Sequence, residues 1–199
     1  MERSSDEPTI LSSNAWFGSG NAVELEMGTR TLHGVVASKH HVDSLWFDCN
    51  RVSPRNRGIR NFRLYRNALH SVRSLLFERK PVRVMVLGGG CAVTSAAVTY
   101  LSTVFDGLRV IWIDAHTDLC SPATSSSGYI HGMALSIVTD EATHRLMYPE
   151  STPIPSSRIG LLGQKEIEPQ ERQRIGKGRF CLLSWLGDLT GALAGFLAE

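Results

Sequence analysis

Apolar positions along this chain follow two rhythms. Between Ile59 and Lys80, the residues Phe62, Tyr65, Leu69, Val72 and Leu76 fall three or four apart, which predicts one amphipathic helix. From Val82 onward the rhythm changes. Val82–Leu87, Arg109–Ile113, Arg158–Leu162 and Arg179–Leu183 are short runs, apolar apart from one arginine each, which predict strands buried on both faces. Between and after them Ala92–Phe105, His131–Thr139, Pro169–Ile175 and Leu186–Leu197 read as helices, with Pro169 suited to a first turn. Ahead of Ile59 the signal is weaker: helix character near Thr29–Ala37, a strand near Leu45–Phe47 and a polar loop over Arg51–Gly58. Residues 1–14 read as a flexible N-terminal tail and residues 15–199 as one domain. Alternation of buried strands with helices predicts an α/β fold, a three-layer α-β-α arrangement around a mostly parallel sheet. The strand ends then share one edge, where such folds bind ligands. Two loops follow strands there, Gly88–Ala92 and Asp114–Gly132.

Composition and charge narrow the functional classes. The chain has 42% hydrophobic and 20% charged residues and a net charge of +2, so no bulk electrostatic case exists for a nucleic acid or a membrane surface. Ten of the 21 basic residues crowd into Arg51–Arg83 beside one acid, Glu78. They lack the interleaved aromatics of a nucleic-acid platform and read as a solvated helix face. Four cysteines without a CxxC pair, no apolar run of membrane length and no apolar leader at the start predict free thiols in a cytoplasmic protein.

Chemistry concentrates after the second clear strand. Arg109–Ile113 runs into Asp114-Ala115-His116-Thr117-Asp118. If the chain stays extended, Asp114, His116 and Asp118 face one way. Two carboxylates and an imidazole suit a divalent ion such as Mn²⁺, Fe²⁺ or Zn²⁺, and carboxylates this close repel one another without a cation. The alternative reading is a set of loop and capping residues.

The longer stretch Trp112–Gly132, with Asp-Ala-His-Thr-Asp near its start and His131-Gly132 at its end, resembles the signature loop of arginases in the ureohydrolase family. Gly88-Gly89 resembles the preceding metal loop, Lys165–Glu171 a later substrate segment, and Val23–Leu32, more weakly, the N-terminal segment. The resemblance implies a parallel sheet flanked by helices, an oligomer, two Mn²⁺ ions and hydrolysis of the arginine guanidinium to urea and ornithine. It implies Asp114, His116 and Asp118 as metal ligands, Asp118 and His131 as catalytic residues, and Cys120, Ser127, Tyr129, Glu168 and Glu171 as contacts to a guanidino substrate such as arginine.

Departures from the pattern are as specific as the matches. The family's Gly-Gly-Asp-His-Ser loop is here Gly88-Gly89-Gly90-Cys91-Ala92. Cys91 replaces a metal-binding histidine. It reads either as a soft ligand that favours Zn²⁺ over Mn²⁺ or as a small buried hydrophobe. Cys120 and Tyr129 replace asparagines, and Glu168 an aspartate. The sequence stops at Glu199, ahead of the strand in which the resemblance expects a second aspartate pair, so an α/β domain lacking its last strands is expected, with at most one weakly held ion. Apolar residues crowd its last stretch: Leu182, Leu183, Trp185, Leu186, Leu189, Leu193, Phe196 and Leu197. Two functions follow. One is an arginase-type hydrolase with impaired or lost activity. The other is a non-catalytic subunit, a pseudoenzyme that binds a partner or a paralogue.

Overall fold

The computed structural model describes residues 7–17, 22–50, 53–184 and 188–198. Its strands form two parallel ladders. In chain order the elements are β1 (Thr9–Ser13), α1 (Ala22–Ala37), β2 (Val42–Leu45), α2 (Phe62–Arg79), β3 (Val84–Leu87), α3 (Cys91–Val104), β4 (Val110–Ile113), α4 (Ala134–Thr139), α5 (Glu141–Met147), β5 (Ile159–Leu162), α6 (Pro169–Lys177), β6 (Cys181–Leu183) and α7 (Leu189–Ala198). One ladder has the order β2-β1-β3 and the other β4-β5-β6, every pairing parallel. Among the described residues, β3 and β4 each pair with a strand on one edge only.

Helices pack on both faces of the second ladder, although Ile113 and Leu182, expected to be buried, stay about two-thirds exposed. Trp112, Ile159 and Leu161 pack with Ala134, Leu135 and Val138 of α4. Their neighbours along the strands, Ile111, Leu162, Cys181 and Leu183, pack with Leu189, Leu193 and Phe196 of α7. This is the pattern that a continuously apolar strand requires. In the first ladder Leu11 joins a core built with α2 and α3, including Tyr65, Leu69, Val72, Leu76, Val93 and Ala96. The helical stripe over Phe62–Leu76 is buried as its spacing predicts.

The N-terminal expectation is corrected. Residues 1–14 are not all a flexible tail: Thr9–Ser13 is the central strand of the first ladder, and every one of its residues is buried. Residues 1–6 lie outside the described residues. Asn14 anchors the strand's end, donating from Nδ2 to the Phe47 carbonyl (2.9 Å) and accepting from the Phe47 amide at Oδ1 (2.7 Å). The helix near Thr29–Ala37 begins earlier, at Ala22, and α5 is an element the apolar pattern missed. The predicted start of the last helix at Leu186 falls outside the described residues, as does Trp185.

Three arginines of the basic segment make contacts within the fold. The Arg79 guanidinium pairs with Asp43 at 2.9 Å, Arg73 lies over the Phe77 and Tyr148 rings, and Arg60 lies over Tyr129.

His144 carries an acid-sensitive element of stability. It is 1% exposed; its Nδ1–H donates to the Ile137 carbonyl (2.7 Å), which leaves Nε2 to accept from the Ser151 hydroxyl (2.9 Å). Burial holds its pKa below the ordinary 6.5. The unfolded chain therefore takes up a proton near pH 6.5 that the folded chain refuses, and folding stability falls as the pH drops through that value. In thermal melts between pH 8 and pH 5 this contribution is expected as a difference between two proteins: on acidification the parent should lose stability relative to His144→Gln.

Candidate metal centre

Both ladders deliver loops to one cavity of about 550 Å³, lined among others by Cys91, Asp114, His116, Asp118, Cys120, Ser127, His131, Glu168 and Glu171. After β3 the chain turns through Gly88 and Gly89, both at positive φ. A Cβ at Gly88 would lie 2.2 Å from Thr29 Cγ2, and the Gly89 amide donates to Thr29 Oγ1 at 3.2 Å. This turn, tucked under α1, needs glycine, and it sets Cys91 as the first residue of α3.

From the other ladder, Asp114 follows β4, and its amide donates to the Leu162 carbonyl (3.2 Å). Asp118 sits in the left-handed region (φ 50°) and is 4% exposed. Its carbonyl accepts the amides of Leu135 and Ser136, which fixes it against the start of α4. Its Oδ2 is buried with no hydrogen-bond partner. One donor atom each from Cys91, Asp114 and Asp118 lies within 4.8 Å of the others, and Cys91 Sγ is 3.8 Å from Asp114 Oδ2. Burial and the neighbouring Asp114 carboxylate push Asp118 up to about 7. Burial and Asp118 push the Cys91 thiol up to about 12. A buried carboxylate with a free oxygen, beside another carboxylate and a thiol, is an arrangement that a divalent cation relieves.

The sequence-predicted triplet is redistributed. Asp114 and Asp118 converge, whereas His116 lies outside the three-donor cluster. The extended-strand assumption fails because the chain turns. The His116 amide donates to Asp114 Oδ1 (2.9 Å), and Asp118 adopts a positive φ. The His116 ring is 60% exposed and faces two carboxylates, Asp114 (3.5 Å) and Glu166 (3.4 Å). Glu166 was not among the expected site residues; the parallel bridge between His116 and Glu166 places it there.

The predicted substrate contacts divide in the same way. Cys120, Ser127 and Glu168 line the cavity, and the Cys120 thiol donates to Glu168 Oε2 across 3.8 Å. Burial and the carboxylates of Glu171 and Glu168 push that thiol up to about 12. Glu171 has both oxygens engaged by the backbone: Oε1 accepts from the Leu119 amide (3.0 Å) and Oε2 from the Glu168 amide (2.9 Å). It braces the loop rather than presenting a free carboxylate. Tyr129 stacks on His131 (ring centroids 5.6 Å apart, planes at 16°) beneath the Arg60 guanidinium, and so positions the histidine. His131 opens the 3₁₀ turn before α4; its Nδ1 is buried without a partner, and burial first, then His116, lowers its pKa.

Comparison with known proteins decides the lineage. The sequence profile described as the Arginase family matches residues 26–182. The chain belongs to the arginase family. Arginase from Staphylococcus aureus is 41% identical over 91 residues, covering 46% of this chain and 30% of that one. Human Arginase-1 is 32% identical over 92 residues, covering 44% and 29%. Among solved structures, arginase from Bacillus caldovelox superposes with a TM-score of 0.77 at 21% identity, covering 96% of this chain and 70% of that one. Entamoeba histolytica arginase, solved in complex with L-ornithine, gives 0.72 at 19%, covering 88% and 63%. The matched stretch thus spans less than a third of these curated relatives, and this arginase-like chain shares the α/β fold of the solved structures.

Proposed function

We propose that this arginase-like protein uses the Cys91–Asp114–Asp118 cluster as a divalent-cation site for hydrolysis of a guanidino C–N bond, with arginine giving urea and ornithine as the first reaction to test. The observation that carries the reading is the buried Asp118 carboxylate, its Oδ2 without a hydrogen-bond partner, beside two further donors in a cavity also lined by His131 and Glu168. The donors fit one ion. A bound cation, Mn²⁺ being the family's metal, would supply Lewis-acid polarisation and a water acidic enough to yield hydroxide near neutral pH.

The chain's own residues perform the remaining tasks. Asp114 and Asp118 would hold the cation, and they set the negative charge that a cationic guanidinium meets. Glu168 and Ser127 offer acceptors toward the amino-acid end of the substrate. His131, kept neutral by burial and held flat by Tyr129, has Nδ1 free to take up or return a proton. L-ornithine bound to the Entamoeba enzyme supports an amino-acid product of this size. The free thiols support a reducing, cytoplasmic setting for this reaction.

After loading with Mn²⁺, urea release from L-arginine is expected from the parent protein and not from Asp114→Ala. Absence of urea from arginine, agmatine and other guanidino compounds would remove the hydrolase reading. The second reading, a non-catalytic subunit that assembles with a paralogue, would then stand. The position of His116 outside the three-donor cluster favours it. Light scattering of the protein alone and mixed with an intact paralogue tests assembly.

A further inference from the structure

We propose that Cys91, Asp114 and Asp118 form a mononuclear thiolate–dicarboxylate site that takes Zn²⁺, or Co²⁺ as its substitute, in preference to Mn²⁺. The proposal shares its site with the function above but does not depend on turnover. Three protein donors with a position left for water match a catalytic zinc site. Zinc bonds of about 2.0–2.3 Å in a tetrahedron place neighbouring donors about 3.5 Å apart. Sγ of Cys91 is already 3.8 Å from Asp114 Oδ2, and all three donors lie within 4.8 Å. Asp118 Oδ2 is the independent sign of a ligand: it is buried and without a hydrogen-bond partner, on a carboxylate that gives one donor to the cluster. As the sulfur–metal bond forms, the thiol gives its proton to solvent. A thiolate is a soft ligand, which favours zinc over manganese, and His116, the borderline ligand expected here, is not in the set.

Titration of the metal-free protein with Co²⁺, without competing thiols, tests the donor set directly. One equivalent is expected to raise an intense near-ultraviolet sulfur-to-cobalt charge-transfer band. Zn²⁺ should abolish it, and an equal concentration of Mn²⁺ should not. Cys91→Ser should lose the band while circular dichroism stays that of the parent, and Cys120→Ser and Cys181→Ser should keep it. Cys91→His should still bind Co²⁺ without the band, with the preference for Zn²⁺ over Mn²⁺ reduced about tenfold or more. No band, a band that survives Cys91→Ser, or displacement of Co²⁺ by Mn²⁺ as readily as by Zn²⁺ would overturn the proposal. A band without urea release with any ion would leave this site in place and remove only the hydrolase reading. Urea release with Mn²⁺ and no band would do the reverse.

Discussion

Replacing Asp118 with asparagine is expected to make the cation-free protein more stable at pH 8 while destroying its affinity for a divalent ion. The parent carboxyl is 4% exposed, has an oxygen without a partner and titrates near 7, against 3.8 in an exposed carboxyl. Its folded pKa is therefore raised. Below about pH 4 both states are protonated and ionisation carries no penalty. Between pH 4 and 7 the unfolded chain ionises first, and the folded state loses stability as the pH rises. At pH 8 the full cost applies, on the order of 2–4 kcal/mol. Asparagine keeps the shape, tolerates the positive φ at this position and carries no charge. A gain of at least about 4 °C in melting temperature follows for a chain of this size. Melts of parent and variant from pH 4 to 8, with and without Zn²⁺, check both halves. A variant that melts lower than the parent at pH 8, or a stability difference between variant and parent that does not grow from pH 4 to 7, would contradict the account.

Removing the Glu171 side chain is expected to have an effect of similar size and opposite sign. One carboxylate bonds the Leu119 amide in the signature loop and the Glu168 amide at the start of α6. Glu168 also caps α6, its side chain accepting from the Glu171 backbone in a capping box. Glu171→Ala leaves two amides without these acceptors in a buried corner, since Glu171 is 5% exposed. Charge-assisted hydrogen bonds of this kind make the loss about 2–3 kcal/mol. The melting temperature should fall by roughly 4–12 °C. The loop from Asp114 to Gly132 should also become more open to limited proteolysis, and the cobalt band proposed for Cys91 should broaden. Glu171→Ala with an unchanged melting temperature would show that the brace carries little. Glu171→Gln, which keeps one acceptor oxygen, should fall between parent and alanine.

Much of the scaffold was legible because its signals are local. The runs at Val84–Leu87, Val110–Ile113 and Ile159–Leu162 are apolar and β-branched, and they end at glycine or acidic loops. The stripe of α2 is regular over four turns. Strand β1 was hidden because Thr9-Ile-Leu-Ser-Ser13 has only two apolar residues; burial comes from its central place between β2 and β3. Helix α5 had a signal that apolar spacing does not weigh: Asp140 is an N-cap, accepting from the Thr143 amide at 2.8 Å.

At the site, two carboxylates at the end of a strand were readable as a pair. The place of His116 was not, because side-chain alternation holds only while the chain stays extended. Cys91 could not be assigned from sequence either, since a buried hydrophobe and a ligand look alike until β3 and β4 bring their ends together. The tasks of Glu171 and Tyr129 depend on an amide at Leu119 and a guanidinium at Arg60, remote in sequence and adjacent in the fold.

The split of the strands into two ladders has a mechanical consequence. Cys91 hangs from the end of β3 and the two aspartates follow β4, so an ion held by all three is a rivet across the seam. Loading it should tie the two halves into one unfolding unit. Amide exchange would then slow on both sides together, and stripping the ion with a chelator would let each half open at its own rate.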